Sequence, residues 1–137
     1  MRYVLIILAL LGIAASSLAL REHYRTYGDA PCDINDRWDC GIVNHSPYAM
    51  FHGIPVADIG IAGYLLLGIL ALKRMYKTML VLAVPALAFS LYLAHIEKDV
   101  LGVWCLYCAI SLGIISLMTL LLLTTLVVQI FMKPATP

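Results

Sequence analysis

Four apolar runs, each close to the length of a membrane span, constrain this chain more than any other feature. Tyr3–Leu20 carries no charge and follows Met1-Arg2. Ile54–Leu72 is interrupted only by Asp58, Thr78–Ile96 contains Pro85, and Val100–Met132 is unbroken by charge. A helix needs roughly 20 such residues to cross a hydrocarbon core of about 30 Å. Composition agrees: 63% of the residues are hydrophobic and 12% are charged, about half the charge usual in soluble domains. The mean hydropathy is +0.94. A soluble globule could not cover that much apolar surface. Disorder needs low hydrophobicity and high charge. A net charge of +1, with no basic patch, argues against nucleic acid as a partner.

The expected fold class is therefore an all-α integral membrane protein, a four-transmembrane-helix bundle in contact with membrane lipid. Its helices are expected at about 3–20, 54–72, 78–96 and 103–132, with a polar loop over 21–53, all in one domain spanning 1–137. A cleaved signal peptide is the competing reading of the first run, because Ala14-Ala15-Ser16-Ser17 is rich in small residues. The run outlasts a usual signal core, and no break precedes those residues. Pro55 suits the first turn of the second helix, where its missing N–H costs nothing. Pro85 predicts a kink rather than a stop. The fourth run exceeds one span, so its first turns should sit at the membrane surface or bend.

Orientation follows from the basic residues. With both the N- and C-termini cytoplasmic, the inner face holds Arg2, Lys73, Arg74, Lys77 and Lys133 and no acid. The outer face holds Arg21, Arg25, Arg37 and Lys98. It also takes all 8 acids: Glu22, Asp29, Asp33, Asp36, Asp39, Asp58, Glu97 and Asp99.

That topology puts all 4 cysteines outside, where disulfides persist. Four cysteines allow three connectivities, and locality favours Cys32–Cys40 and Cys105–Cys108 as resting pairs. Cys105-Leu106-Tyr107-Cys108 opens the last helix. Free N–H groups and the positive helix end stabilise a thiolate there, which makes it a good leaving group in exchange. Cys32 and Cys40 lie in a polar loop with Asp33, Asp36 and Asp39, open to another protein. One pair reachable from water and one from lipid suggest an electron relay between a protein thiol and a lipid-soluble carrier. Structural disulfides bracing a non-enzymatic scaffold, a zinc site built from the four cysteines and a soft-metal carrier are the competing readings.

The residues resemble the vitamin K epoxide reductase (VKOR) family in its bacterial form. The likeness rests on Cys32-Asp33 with Cys40, Ser46-Pro47-Tyr48-Ala49, Phe51 with Gly53-Ile54-Pro55, Gly60 with Gly63-Tyr64, and Cys105-x-x-Cys108. It covers roughly 5–125. The DsbB type of quinone-coupled oxidase has the same number of helices and cysteines, but it places its C-x-x-C in the first outer loop. Here the order is reversed.

The resemblance implies a four-helix bundle around a quinone, ubiquinone or menaquinone, in the cell inner membrane. It implies catalysis on the extracytoplasmic side, where a thioredoxin-like (DsbA-type) partner is reoxidised and disulfide formation is driven. Cys108 would face the quinone, and Cys105 would be attacked by Cys40. Cys32 would exchange with the reduced partner, and Ser46 would support the site. The family often has an asparagine where this chain has Val56, and many eukaryotic members have a tyrosine where it has Leu112. Ser111, one turn from Cys108, is a candidate donor to a quinone carbonyl, unless it bonds its own helix carbonyl instead. Bacterial members are often fused to a thioredoxin-like domain; with the chain ending at Pro137, the partner is expected to be a separate protein.

Three further polar residues are candidates. His45, beside Ser46, could serve as a base or stabilise a thiolate. Asp58 is an acid near the start of an apolar run and so a candidate quinone contact. His95 could aid proton delivery. The bland alternatives are interfacial packing for the histidines and a rim position for Asp58. Trp38, Tyr48, Trp104 and Tyr107 fit an aromatic belt.

Overall fold

The computed structural model describes residues 2–24, 50–51, 53–102 and 104–132. Four helices supply almost all of it. Helix α1 is Arg2–Tyr24, α2 is Val56–Leu72, α3 is Tyr76–Ile96 and α4 is Leu106–Met132. Strands β1 (Met50–Phe51) and β2 (Ile54–Pro55) form a short antiparallel hairpin before α2, with Met50 opposite Pro55. One π-helical turn, Glu97–Leu101, continues from α3. The protein is an all-α, multi-pass membrane protein. Three helical segments, Arg2–Arg21, Tyr76–Val100 and Leu106–Met132, are long and apolar enough to cross a bilayer, and α2 is a shorter apolar helix.

The boundaries depart from the sequence reading in instructive places. Helix α1 runs past Leu20 to Tyr24. Arg21 and Glu22 end the apolar run without ending the helix, since both residue types favour helix. Helix α2 starts at Val56 rather than Ile54, because Ile54 and Pro55 pair with β1. Pro55 thus sits at the N-cap with φ −58° and ψ 136°, not in the first turn. Helix α3 starts at Tyr76 and passes through Pro85 without stopping. Helix α4 starts at Leu106 rather than at residue 103.

Lipid removes most of the hydrophobic drive between helices, so close packing must hold them together. Small residues on α1 provide it. A Cβ on Gly60 of α2 would come within 2.7 Å of the Ser16 hydroxyl, and one on Gly68 within 3.4 Å of Ala9. Gly12, between those α1 residues, lies flush against the Tyr64 ring; any Cβ there would overlap it. These contacts run α1 and α2 antiparallel. The buried centre joins Leu5 and Ala9 of α1 to Tyr64 and Leu67 of α2, Met79 and Ala83 of α3, and Ile115, Met118 and Leu122 of α4. Leu10, Leu65, Val81, Leu91, Leu120 and Ile130 are exposed, as lipid-facing side chains should be.

Two turns redirect the chain between helices. Between α2 and α3 the chain reverses through Arg74 at φ +56°, and the Met75 N–H reaches back to the Leu70 carbonyl at 2.9 Å. After the π turn, Gly102 adopts φ +70°, a conformation that glycine takes without steric cost. It sends the chain back toward the start of α4.

Candidate active site

The Cys105 carbonyl accepts the Ala109 N–H at 2.9 Å, the first i→i−4 bond of α4. Cys105 is therefore the N-cap of that helix, and Cys108 follows one turn in. Cys105 is completely buried. Both residues are thiols here and they are hydrogen-bonded to each other.

Glu97 completes the group. It opens the π turn and is only 4% exposed, while Lys98, Asp99 and Val100 of the same turn are exposed. Its carboxylate accepts the Cys105 backbone N–H and the Cys108 thiol. The first contact satisfies an amide that the helix start leaves without a helical partner. The second brings a carboxylate against the sulfur. Helix-end stabilisation of a thiolate is thus opposed by a neighbouring negative charge. Two anions in so enclosed a place repel strongly.

Below this group lies a cavity of about 500 Å³ between the helices, within the range of small-molecule sites. All four helices wall it, with Ser16 and Ala19 from α1, Val56, Gly60 and Tyr64 from α2, Phe89 and Leu93 from α3, and Ser111 and Leu112 from α4. Glu97, Trp104, Tyr107 and Cys108 line it too. Most of this lining is apolar. The Tyr64 hydroxyl donates to the Ser111 carbonyl at 2.8 Å and lies 2.8 Å from the Ser111 hydroxyl. A family model described as the vitamin K epoxide reductase family matches residues 3–126.

The chain belongs to the vitamin K epoxide reductase family. Membership implies an oxidoreductase of the thiol–disulfide kind. No curated protein matches the chain. Val56 and Leu112, the two positions singled out by the resemblance, are in the cavity wall.

The other candidates from the sequence fall as follows. Cys108 and Ser111 line the cavity, and the Ser111 hydroxyl engages Tyr64. Thr119, further along α4, bonds its own helix, donating to the Ile115 carbonyl at 2.7 Å. Asp58 lies in the first turn of α2; its neighbours Ala57 and Ile59 line the cavity and Asp58 does not. His95 is 69% exposed and faces Asp99, with Nδ1 to Oδ2 at 2.8 Å. Cys32, Cys40, His45 and Ser46 lie outside the described residues. Sequence reasoning missed Glu97 and Tyr64 as site residues. The available signal for Glu97 was an acid between two apolar runs, the same signal that drew attention to Asp58.

Proposed function

We propose that this VKOR member is a thiol–quinone oxidoreductase that reoxidises an extracytoplasmic thioredoxin-like protein and so drives disulfide formation. One observation carries this reading: Cys108 of the Cys105-x-x-Cys108 pair lines a largely apolar cavity between the helices, with Cys105 buried behind it. The cavity suits a flat apolar ring, and its few polar groups suit the two ring oxygens. The quinone, ubiquinone or menaquinone, is the oxidising substrate.

In the proposed cycle a reduced thioredoxin-like dithiol attacks the Cys32–Cys40 disulfide at Cys32 and leaves oxidised. The freed Cys40 thiolate attacks Cys105 of a Cys105–Cys108 disulfide, releasing Cys108. Return of Cys32 to Cys40 restores the loop disulfide and leaves the Cys105, Cys108 dithiol. Oxidation of that dithiol sends two electrons and two protons to the quinone. The arrangement also fits four spans in a single domain over 1–137, with both termini cytoplasmic and the active site outside, in the inner membrane. Helix α2, at 17 residues and roughly 25 Å, would span as the shortest helix. The test is direct. Purified protein given a dithiol and a short-chain quinone should bleach the quinone absorbance, and Cys108→Ser protein should not. No bleaching by the intact protein would refute the reading.

A further inference from the structure

We infer that Glu97 is the proton acceptor for Cys108 when the dithiol is oxidised, an inference that rests on the quinone-reducing reading above. Glu97 meets three conditions at once. Its carboxylate touches the Cys108 thiol, it lines the cavity that Cys108 opens onto, and it is shielded from water at 4% exposure. Its remaining contact, the Cys105 N–H, fixes the carboxyl to the start of α4, so the group is already oriented before any proton moves. The π turn makes this possible, since it buries Glu97 while leaving the three residues after it at the surface. π turns of this kind recur at functional sites.

The step balances without a further reagent. The Cys108 S–H bond breaks and its proton goes to Glu97. The S–S bond to Cys105 forms, and two electrons go to the quinone. Glu97 returns its proton to the quinone oxygen on the cavity side, and the Cys105 proton completes the quinol. The dithiol is oxidised, the quinone is reduced, and Glu97 ends ionised as it began. Among the described residues, the other ionisable side chains at the cavity are Tyr107 of α4 and Tyr64 of α2. Tyr64 is committed to Ser111. The remaining acid–base pair nearby, His95 with Asp99, is exposed.

The experiment compares the full chain with Glu97→Gln and Glu97→Asp. Glutamine keeps the size and an oxygen to accept the Cys105 N–H, but it takes no proton. Pre-reduced protein is mixed once with a short-chain quinone. Glu97→Gln should be oxidised about a hundredfold more slowly, within the span usual for lost acid–base catalysis, and Glu97→Asp should recover most of the rate. Oxidation of Glu97→Gln within about threefold of the intact protein would overturn the inference. A second measurement needs no quinone: the rate of Cys108 alkylation by N-ethylmaleimide against pH, read by mass spectrometry. Cys105 also interacts with Cys108, so the profile of the pair is already stepped; Glu97 adds a further step to it, and Glu97→Gln should lose that added step while keeping the rest. Superimposable profiles would overturn the inference even if the quinone assay succeeds. If the intact protein fails to reduce quinone yet shows the added step, the quinone-reducing reading falls and proton sharing by Glu97 stands.

Discussion

The Tyr64 hydroxyl lies 2.8 Å from both the hydroxyl and the carbonyl oxygen of Ser111, tying α2 to α4 across the cavity wall. With Tyr64 donating to the carbonyl, the Ser111 hydroxyl donates to Tyr64. The two bonds are not equivalent to mutation. Ser111→Ala removes one and leaves Tyr64 its carbonyl acceptor. Tyr64→Phe removes both and leaves the Ser111 hydroxyl without its partner. Each neutral bond contributes about 1 kcal/mol. Tyr64→Phe should therefore lower stability by about 1–2 kcal/mol and Ser111→Ala by less than about 1 kcal/mol, as read from thermal unfolding in detergent. Equal effects would show that the carbonyl bond contributes nothing.

Gly12 makes that bond possible from the far side. The Tyr64 ring rests on Gly12 of α1 with no room for a methyl group. Gly12→Ala should cost about 1–3 kcal/mol, as overpacking does in tight cores, and should weaken the Tyr64–Ser111 contact as the ring shifts. The check is a double-mutant cycle with Tyr64→Phe. The two costs should be non-additive, because the second change removes part of what the first disturbs.

The helices were legible in the sequence because hydropathy alone marks a span, while their ends depend on features that hydropathy does not report. Arg21 and Glu22 mark the end of an apolar run but not of a helix. Ile54 and Pro55 read as helix until the strand opposite them is known. The cysteine pair at the start of α4 was legible from spacing. Glu97 was not, because Glu97-Lys98-Asp99 reads as a solvated stop. Only the wider π turn separates a buried first residue from its exposed neighbours. Asp58 drew attention by the same reasoning, an acid beside apolar residues, yet its side chain is not part of the cavity wall. An acid's place in the sequence gives its depth along the helix but not the direction it faces.

The proposed relay makes a covalent prediction. Cys108→Ser removes the sulfur that would close the active-site disulfide, so attack by Cys40 has no disulfide at Cys105 to resolve. Oxidising this variant with Cys32 also changed to serine, so that no thiol can take Cys40 back, should instead join Cys40 to Cys105 in a stable mixed disulfide, identifiable by mass spectrometry of proteolytic fragments. Cys105→Ser should not yield the corresponding Cys40–Cys108 species, because Cys108 lies one turn further into α4. Equal trapping in both variants would show that the loop cysteine does not discriminate between the two sulfurs.

The exposed pair offers a contrast with Glu97. His95 and Asp99 form an i,i+4 contact at the surface, and such exposed pairs contribute little to stability. His95→Ala should leave quinone reduction by the dithiol-fed protein within about twofold of the intact protein, with stability changed by less than about 0.5 kcal/mol. A loss of turnover comparable to that of Glu97→Gln would place proton transfer on the surface route instead.

Val56 gives the last prediction. It lines the cavity from the first turn of α2, at the place where the family resemblance calls for an asparagine able to meet a quinone oxygen. Valine offers no such donor, so the polar contacts available to a bound ring come from elsewhere in the lining. Val56→Asn puts an amide at the wall beside the start of a helix, where asparagine is tolerated. If the ring oxygen lies within reach, one added hydrogen bond of about 0.5–1.5 kcal/mol should lower the KM for a short-chain quinone by roughly two- to tenfold. The kcat should stay nearly constant, since the same contact would form in the ground state and the transition state. If the oxygen lies elsewhere, the amide is left unpaired against apolar walls and KM should rise instead. Steady-state kinetics across a quinone titration distinguish the two, and the sign of the change in KM locates the ring relative to α2.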